Sequence, residues 1–358
     1  MSAAANSNTS AIVGSRPAIS IGGQDQPALS RGLLGLNITE TTAGLYRCEM
    51  LLGNWGVASG GTGYRYFDRS LLDFGKSLGV SFLGQTIFQG VISALEGRFS
   101  EDGQPEIAVL AEDRLQSLRM TRRTQTFENV SDSDLFNTIA NAYGLTPSVD
   151  VEGPQHKVIA QVNQSDLALI RERARAIDAE VWMDGSTLHV QSRAHRQGAS
   201  LTLGYRNELR ELVVLADLAH QRTSLVVSGW DVSQKDAIAC EATDSVLGTE
   251  LGNDTSGASL VRSSFGERKE TIVHTVPWTS AEAQARADAH FRAIARTFVN
   301  AKGVAETNPG LRVGAYVSLT GIGPLFEGDY YVTEVSHLFD GDGLRTEFAA
   351  ERPGVSSS

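Results

Sequence analysis

Two cysteines in 358 residues, Cys48 and Cys240, are too few for a disulfide framework. Both sit in apolar, strand-like contexts and read as reduced core thiols. No run of 18 or more apolar residues occurs, so no segment is long enough to cross a membrane as a helix. The opening MSAAANSNTSAIVGSRP has neither the basic start nor the long apolar core of a secretory signal. It reads as a flexible tail, and the chain is expected to be made in the cytoplasm and kept there until assembly. Basic charge is also scarce: 31 Lys and Arg are scattered among 42 Asp and Glu, for a net charge of -11. A duplex-binding surface needs clustered cations, so tight nucleic-acid binding is not expected.

The patterns that carry chemistry are missing as well. The seven histidines (His156, His189, His195, His220, His274, His290 and His337) show no close metal-ligand spacing. His274 and His337 fall in strand-like stretches, where a packed or solvent-facing histidine is usual. There is no Gly-x-Ser-x-Gly elbow, and neither cysteine has a histidine partner motif nearby. GNWGVASGGTG has the glycines of a phosphate loop without its Lys-Ser/Thr pair or a following helix, and reads as a flexible loop. FDGDGL lacks the later bidentate Glu of a calcium loop. Asp132 with Asp134, and Glu172 with Asp178, are placed at helix starts or solvent faces, where charge needs no catalytic reason. No catalytic, cofactor-binding or metal residue is therefore assigned, and the chain is read as not an enzyme.

Glycine is abundant at 36 residues, which suits many turns between strands, and one such turn recurs. IFQGVISALEGRFSEDGQPEIAVLAEDR, residues 87–114, is answered by LFEGDYYVTEVSHLFDGDGLRTEFAAER, residues 325–352. Each opens on an apolar pair and Gly: Ile87, Phe88 and Gly90, then Leu325, Phe326 and Gly328. Each continues as a strand ending on Phe99 or Phe339 and turns at Asp102-Gly103 or Asp342-Gly343, where Gly accepts a positive φ. Each returns as an alternating strand, Ile107, Val109 and Ala111 against Thr346, Phe348 and Ala350. Each closes on acid then base, Glu112 with Arg114 and Glu351 with Arg352. Two such hairpins predict a duplicated β-domain.

Between them the texture changes. NVSDSDLFNTIANAYGL has Ser131 and Asp134 in capping-box spacing, then Leu135, Ile139 and Ala142 on one helical face, with Gly144 as the stop. Ser165 and Asp166 open a second helix with a stripe of Leu167, Ile170, Ala174 and Ile177. Val181 and Met183, an Asp184-Gly185 turn, and Leu188 and Val190 make a tight hairpin. Strands are also expected around Leu72–Phe74 and Val80–Leu83. ELRELVVLADL and RTSLVVSGWDV read as a strand pair, DSVLGTELGNDTSGASLVR as a long polar loop, and KETIVHTVPW as a strand. Thr279 and Glu282 cap the clearest helix, with Phe291, Ile294 and Phe298 inward.

The resulting expectation is an α+β, mainly β chain. It has a flexible tail at 1–16, a first β-barrel domain at 17–126, an α/β insert at 127–207, a second barrel at 208–353 and a tail at 354–358. The stretch SDLFNTIANAYGL is similar to the helical start of a LysM peptidoglycan-binding module, but the rest of that module's pattern is missing and a plain capped helix is favoured. A wall-degrading or peptidoglycan-binding tail component stays open as the alternative.

RTQTFENVSDSDLFNTIANAYGL, QVNQSDLALIRERARAIDAEVW, VVSGWDV and PLFEGDYYVTEVSHLFDGDGLRTEF together resemble the late control protein D family of contractile-tailed phages. The resemblance runs from about residue 19 to residue 353 and extends to the N-terminal hub part of VgrG spike proteins. It implies a structural baseplate hub with two barrel domains similar to the tail-tube subunit. Three chains then make a trimeric pseudo-six-fold ring that adapts a six-fold inner tube to a three-fold spike. The partners implied are the chain itself as a homotrimer, a separate trimeric spike protein, the inner tube protein and other baseplate proteins. No cofactor is implied. Neither the needle of VgrG nor an appended lysozyme domain is expected after the second hairpin, and a separate spike is expected instead. The Gly-rich loops 53–64 and 248–259 are expected to reach neighbouring subunits or baseplate partners.

Overall fold

The computed structural model describes residues 16–58, 61–231, 234–274 and 277–356; the N-terminal tail expected at 1–16 lies almost wholly outside them. About half of the described residues are in strands, as the alternating apolar patterns require. The first part contains β1 (Ala18–Ile21), β2 (Gln24–Asp25), α1 (Pro27–Gly32), β3 (Leu33–Thr41), β4 (Arg47–Gly53), β5 (Trp55–Ala58) and β6 (Gly61–Tyr64). It continues through β7 (Ser77–Phe82), β8 (Gln85–Arg98), β9 (Glu106–Glu112) and α2 (Leu115–Arg119). Alternate residues of β3 and β4 bury Leu36, Ile38, Cys48, Met50 and Leu52 in one core, the period-2 rule of a half-buried sheet.

A middle part follows: β10 (Arg122–Ser131), α3 (Asp132–Ala142), β11 (Thr146–Asp150), β12 (Gln155–Ser165), α4 (Asp166–Ala176), β13 (Ala179–Asp184) and β14 (Thr187–Ser192). The Ser131 hydroxyl accepts from the Asp134 N–H and the Asp134 carboxylate accepts from the Ser131 N–H, closing the capping box. Gly144 takes φ 63° as the stop, and the faces of both helices meet β13 and β14 in a core of their own.

The last part holds β15 (Ser200–Gly204), β16 (Leu209–Ala216), β17 (Ser224–Asp231), β18 (Asp236–Ala242), β19 (Thr255–Ser256), α5 (Gly257–Phe265), β20 (Lys269–Ile272) and α6 (Ser280–Arg296). It ends with β21 (Val299–Ala305), β22 (Tyr316–Thr320), β23 (Gly328–Asp340), β24 (Gly343–Arg352) and β25 (Gly354–Val355). A 13-stranded sheet runs through both outer parts in the order β16-β21-β24-β23-β3-β4-β9-β8-β7-β1-β2, with β22 joining β23 to β15. The halves are thus joined edge to edge through β3 and β23.

Several local expectations need correction. β16 and β17 are not partners: β16 pairs with β21, while β17 pairs with β18 and β20 in a separate sheet. That sheet packs its Leu225 and Val227 against Phe291 and Ala295 of α6, so β17 has an apolar face of its own to bury. Leu72–Phe74 is irregular; Leu72 is buried as an anchor without a strand. His274 lies outside any strand. The expected long loop holds a 3-10 segment, Asp244–Glu250, then β19 and α5, with Leu247, Ala258 and Val261 buried. Ser256 caps α5 through the Ser259 N–H, a short-range signal hidden among the glycines and serines. Gly354 and Val355, in the expected tail, pair with β19.

Candidate assembly interface

The duplication is visible bond by bond. In the first hairpin Val91 faces Glu112 and Ile92 faces Ala111; the register then skips Ser93, so that Ala94 faces Leu110 and Leu95 faces Val109. In the second, Tyr331 faces Glu351 and Val332 faces Ala350; the register skips Thr333, so that Glu334 faces Ala349 and Val335 faces Phe348. The two bulges coincide at an offset of 240 between β8 and β23 (331 − 91) and 239 between β9 and β24 (351 − 112). The hydroxyl of each bulged residue donates to the same carbonyl: Ser93 to Leu110 at 3.3 Å and Thr333 to Ala349 at 3.3 Å.

The correspondence extends outward. β7 meets β8 as β22 meets β23, with Leu78 opposite Gly90 and Val317 opposite Tyr330. β4 meets β9 as β21 meets β24, with Cys48 opposite Ala111 and Ala301 opposite Ala350. β3 meets β4 as β16 meets β21, and here too the bulges coincide. Leu33 faces Leu52 and Gly35 faces Leu51; Leu209 faces Ala305 and Glu211 faces Val304. Bulges re-aim a strand at a defined point, and two shared ones fix five strands of each half as copies: β3-β4-β9-β8-β7 and β16-β21-β24-β23-β22.

This register corrects parts of the sequence comparison. Phe99 and Phe339 correspond, and so do Glu112 and Glu351. The opening triplets do not, because Gly90 corresponds to Tyr330 and Gly328 to Phe88. The closing bases do not correspond either, since Arg352 takes the place of Asp113. The first turn is a loop of residues 99–105, whereas Gly343, at φ 99°, closes a two-residue connection in the second.

Buried charge locks the middle part against both halves. Glu180 of β13 accepts from Arg196 at 2.9 Å and from the Tyr331 hydroxyl of β23 at 2.5 Å. Arg196 also donates to Tyr46 and to the Val313 carbonyl, at 3.2 and 2.6 Å. Burial opposes the charge, but Tyr46, Tyr331 and Glu180 hold the Arg196 guanidinium above its ordinary value. Arg193 bonds Glu351 at 2.8 Å and lies 3.9 Å above the Tyr331 ring. Arg296 of α6 pairs with Asp178 and, at 2.6 Å, with Glu250. Asp132, expected on a helix start or solvent face, is fully buried and held by Arg173 at 2.6 Å and His156 at 3.2 Å. These carboxylates are all occupied in ion pairs, which is structural work. Among the described residues no group of three or more His, Cys, Asp or Glu is placed to hold a metal ion.

Elsewhere the described surface carries exposed aromatic rings and charge. β5 and β6 pair antiparallel, and their Trp55 and Tyr64 stack edge to face at 5.3 Å and continue to Phe67 and Phe99. All four rings are exposed. The open face of the large sheet carries Glu49, Glu96, Glu211, Glu334 and Glu347 against Arg47, Arg98 and Lys302, an excess of negative charge.

Solved structures with this fold include phage tail proteins, a type VI secretion component and a VgrG complex. The 43 kDa tail protein of prophage MuSo2 from Shewanella oneidensis superposes with a TM-score of 0.71 at 14% identity, over 94% of this chain and 98% of that one. An Escherichia coli component of the type VI secretion system, described as similar to the T4 tail proteins gp27 and gp5, gives 0.56 at 13% identity, over 91% and 76%. A chain of the Francisella PdpA–VgrG complex gives 0.55 at 9%, over 96% and 59%. The chain therefore has the mainly β fold of phage tail and VgrG-related proteins. A family model described as the Alg8 N-terminal domain matches residues 77–340, and the chain belongs to that family. No curated protein matches it by sequence.

Proposed function

We propose that the chain is the structural hub of a baseplate, in a contractile injection system or phage tail. Three copies, each contributing two tube-like units, form a ring that is six-fold in pseudo-symmetry and three-fold in fact. One face of the ring meets the six-fold inner tube; the other seats a separate trimeric spike. The role is mechanical and non-catalytic: the hub caps the tube and passes the force of contraction to the spike. The units are residues 17–126 and 208–353, with 127–207, apart from β15 which pairs with β22 of the second unit, as the insert that braces them. Assembly takes place in the cytoplasm, before the hub becomes part of the particle.

The observation that carries this reading is the five-strand duplication with two shared bulges, since repeating a unit in the chain is how three subunits present six equivalent surfaces. The likeness to tail proteins over nearly the whole chain supports it. The acidic open face suits a lumen that conducts cargo without gripping nucleic acid. The test is the solution mass by light scattering, alone and co-expressed with a candidate spike. A species near 115 kDa, three times 38.4 kDa, is expected. A strict monomer in both samples overturns the reading.

A further inference from the structure

The joint between the two units is a template for a joint that one chain cannot make by itself. Within the chain β3 pairs with the far half of β23, from Thr41 opposite Glu334 to Leu36 opposite Phe339. The copy of β3 is β16, and the copy of that half of β23 is residues 94–99, spanning the end of β8 and Phe99. Both copies have the corresponding edge open. Among the described residues β16 pairs with β21 and otherwise makes only a bridge from Leu209 to Tyr205, outside the span 212–216, and β7 leaves β8 at Val91.

Burial shows the same gap. Leu36 and Ile38, inside the joint, are 4% and 0% exposed. Their copies Leu212 and Val214 are only partly buried. Val335 is fully buried, and its copy Leu95 is not. Beyond them Val213 is 71% exposed, Leu215 57% and Phe99 65%. A long apolar edge of this kind invites another strand.

We infer that β16 of one copy adds to the β8 edge of the next copy in the register of the internal joint. Carrying the offsets over places Leu212 opposite Phe99, Val213 opposite Arg98, Val214 opposite Gly97, Leu215 opposite Glu96 and Ala216 opposite Leu95. The core-facing row is then Leu212, Val214 and Ala216 against Phe99 and Leu95. The exposed rings of Trp55, Tyr64 and Phe67 lie beside the Leu212 end, an apolar surface beside the arriving strand. The occupant is a second copy of this chain because the edge that fits is this chain's own copy of β3. The contact is head to tail, so it must close into a ring or run on into a filament; closure at three rests on the hub reading.

Cysteine pairs test the register, in a Cys240→Ser background that leaves only the buried Cys48. Arg98→Cys with Val213→Cys puts the two Cα atoms directly opposite, at about 4.5–5.5 Å across an antiparallel pair, within disulfide reach. Ala94→Cys with Val213→Cys is the control, displaced by four residues or about 13 Å along the strand. The expected result is a reducible species near three times 38.4 kDa for the first pair and none for the control. A trimeric mass without cross-linking, or equal cross-linking in the control, overturns the register and leaves the hub reading standing. A monomeric mass with no cross-linking overturns both. A ladder running past three copies supports the strand pairing and overturns closure at three.

Discussion

The internal joint and the open edges are built from copies of the same strands, yet they are finished differently. At the internal joint Glu40 is fully buried on β3, accepts from the Val313 N–H at 3.2 Å and is clamped by Arg312. Burial pushes its carboxyl upward against the pull of that guanidinium. At the copied position β16 has Ala216. Opposite, His337 is buried on β23, where its copy on β8 is Gly97. The permanent joint thus carries buried polar groups that only a fixed geometry can satisfy. In their core-facing row the open edges carry only Leu212, Val214, Ala216, Leu95, Gly97 and Phe99, which tolerate being wet before pairing and lose nothing polar on it. A joint that forms once, during folding, can be specific at high desolvation cost; one that must form between molecules is kept apolar and simple.

The comparison can be broken most directly in its apolar row. Ile38→Ala removes a fully buried side chain from the internal joint and is expected to cost about 2–5 kcal/mol. Val214→Ala at the copied position, partly exposed in the separated chain, is expected to cost about 1 kcal/mol. Urea unfolding of the two variants as separated chains measures both. Equal losses would mean that β16 is already covered within one chain, and the distinction between joint and open edge would fall.

Acid sharpens the contrast in its polar part. Burial, with Arg312 nearby, pulls the His337 imidazole down to about 3. Its Nδ1 lies 3.0 Å from the Thr346 hydroxyl. Between that value and the ordinary 6.5, the unfolded chain binds a proton that the folded chain does not. Stability from this group is therefore full above pH 6.5 and lost as pH falls toward 3, by about 1.4 kcal/mol per pH unit. Going from pH 6.5 to 5 should cost about 2 kcal/mol through this residue. His337→Gln keeps a polar group beside Thr346 without the titration. Its urea midpoint is expected to fall less than the native chain's between pH 7 and pH 5, and an equal fall in both would remove His337 as the cause.

How much of this was legible beforehand depends on range. The caps at Ser131, Ser165 and Thr279, the apolar helix faces apart from Ala142, which is exposed, and the Asp342-Gly343 turn are local, and they stand in the structure as read. The duplication was legible through Phe99 and Phe339 and through the alternating Ile107, Val109 and Ala111. Its true register was not, because it is set by bulges at Ser93 and Thr333 and at Leu34 and Arg210, which leave no mark in composition. The pairing of β3 with β23 joins residues about 300 positions apart in the chain, and no local pattern encodes such a partner. Burial of Asp132 was missed for the same reason, since Arg173 and His156 reach it from other elements.

The smallest test concerns the bulges themselves. Ser93→Ala and Thr333→Val each remove one hydroxyl that donates to a strand carbonyl at 3.3 Å. Each is expected to cost about 0.5–1.5 kcal/mol. Both residues are half-buried at the same step of the same strand pair, so the two losses should agree to within about 0.5 kcal/mol in urea unfolding. Agreement would show that the copies share the energetics of the bulge as well as its shape. A large loss at Thr333 with none at Ser93 would place the anchoring of register in the half that carries the internal joint. The first hairpin would then keep its bulge only because the strands on either side impose it.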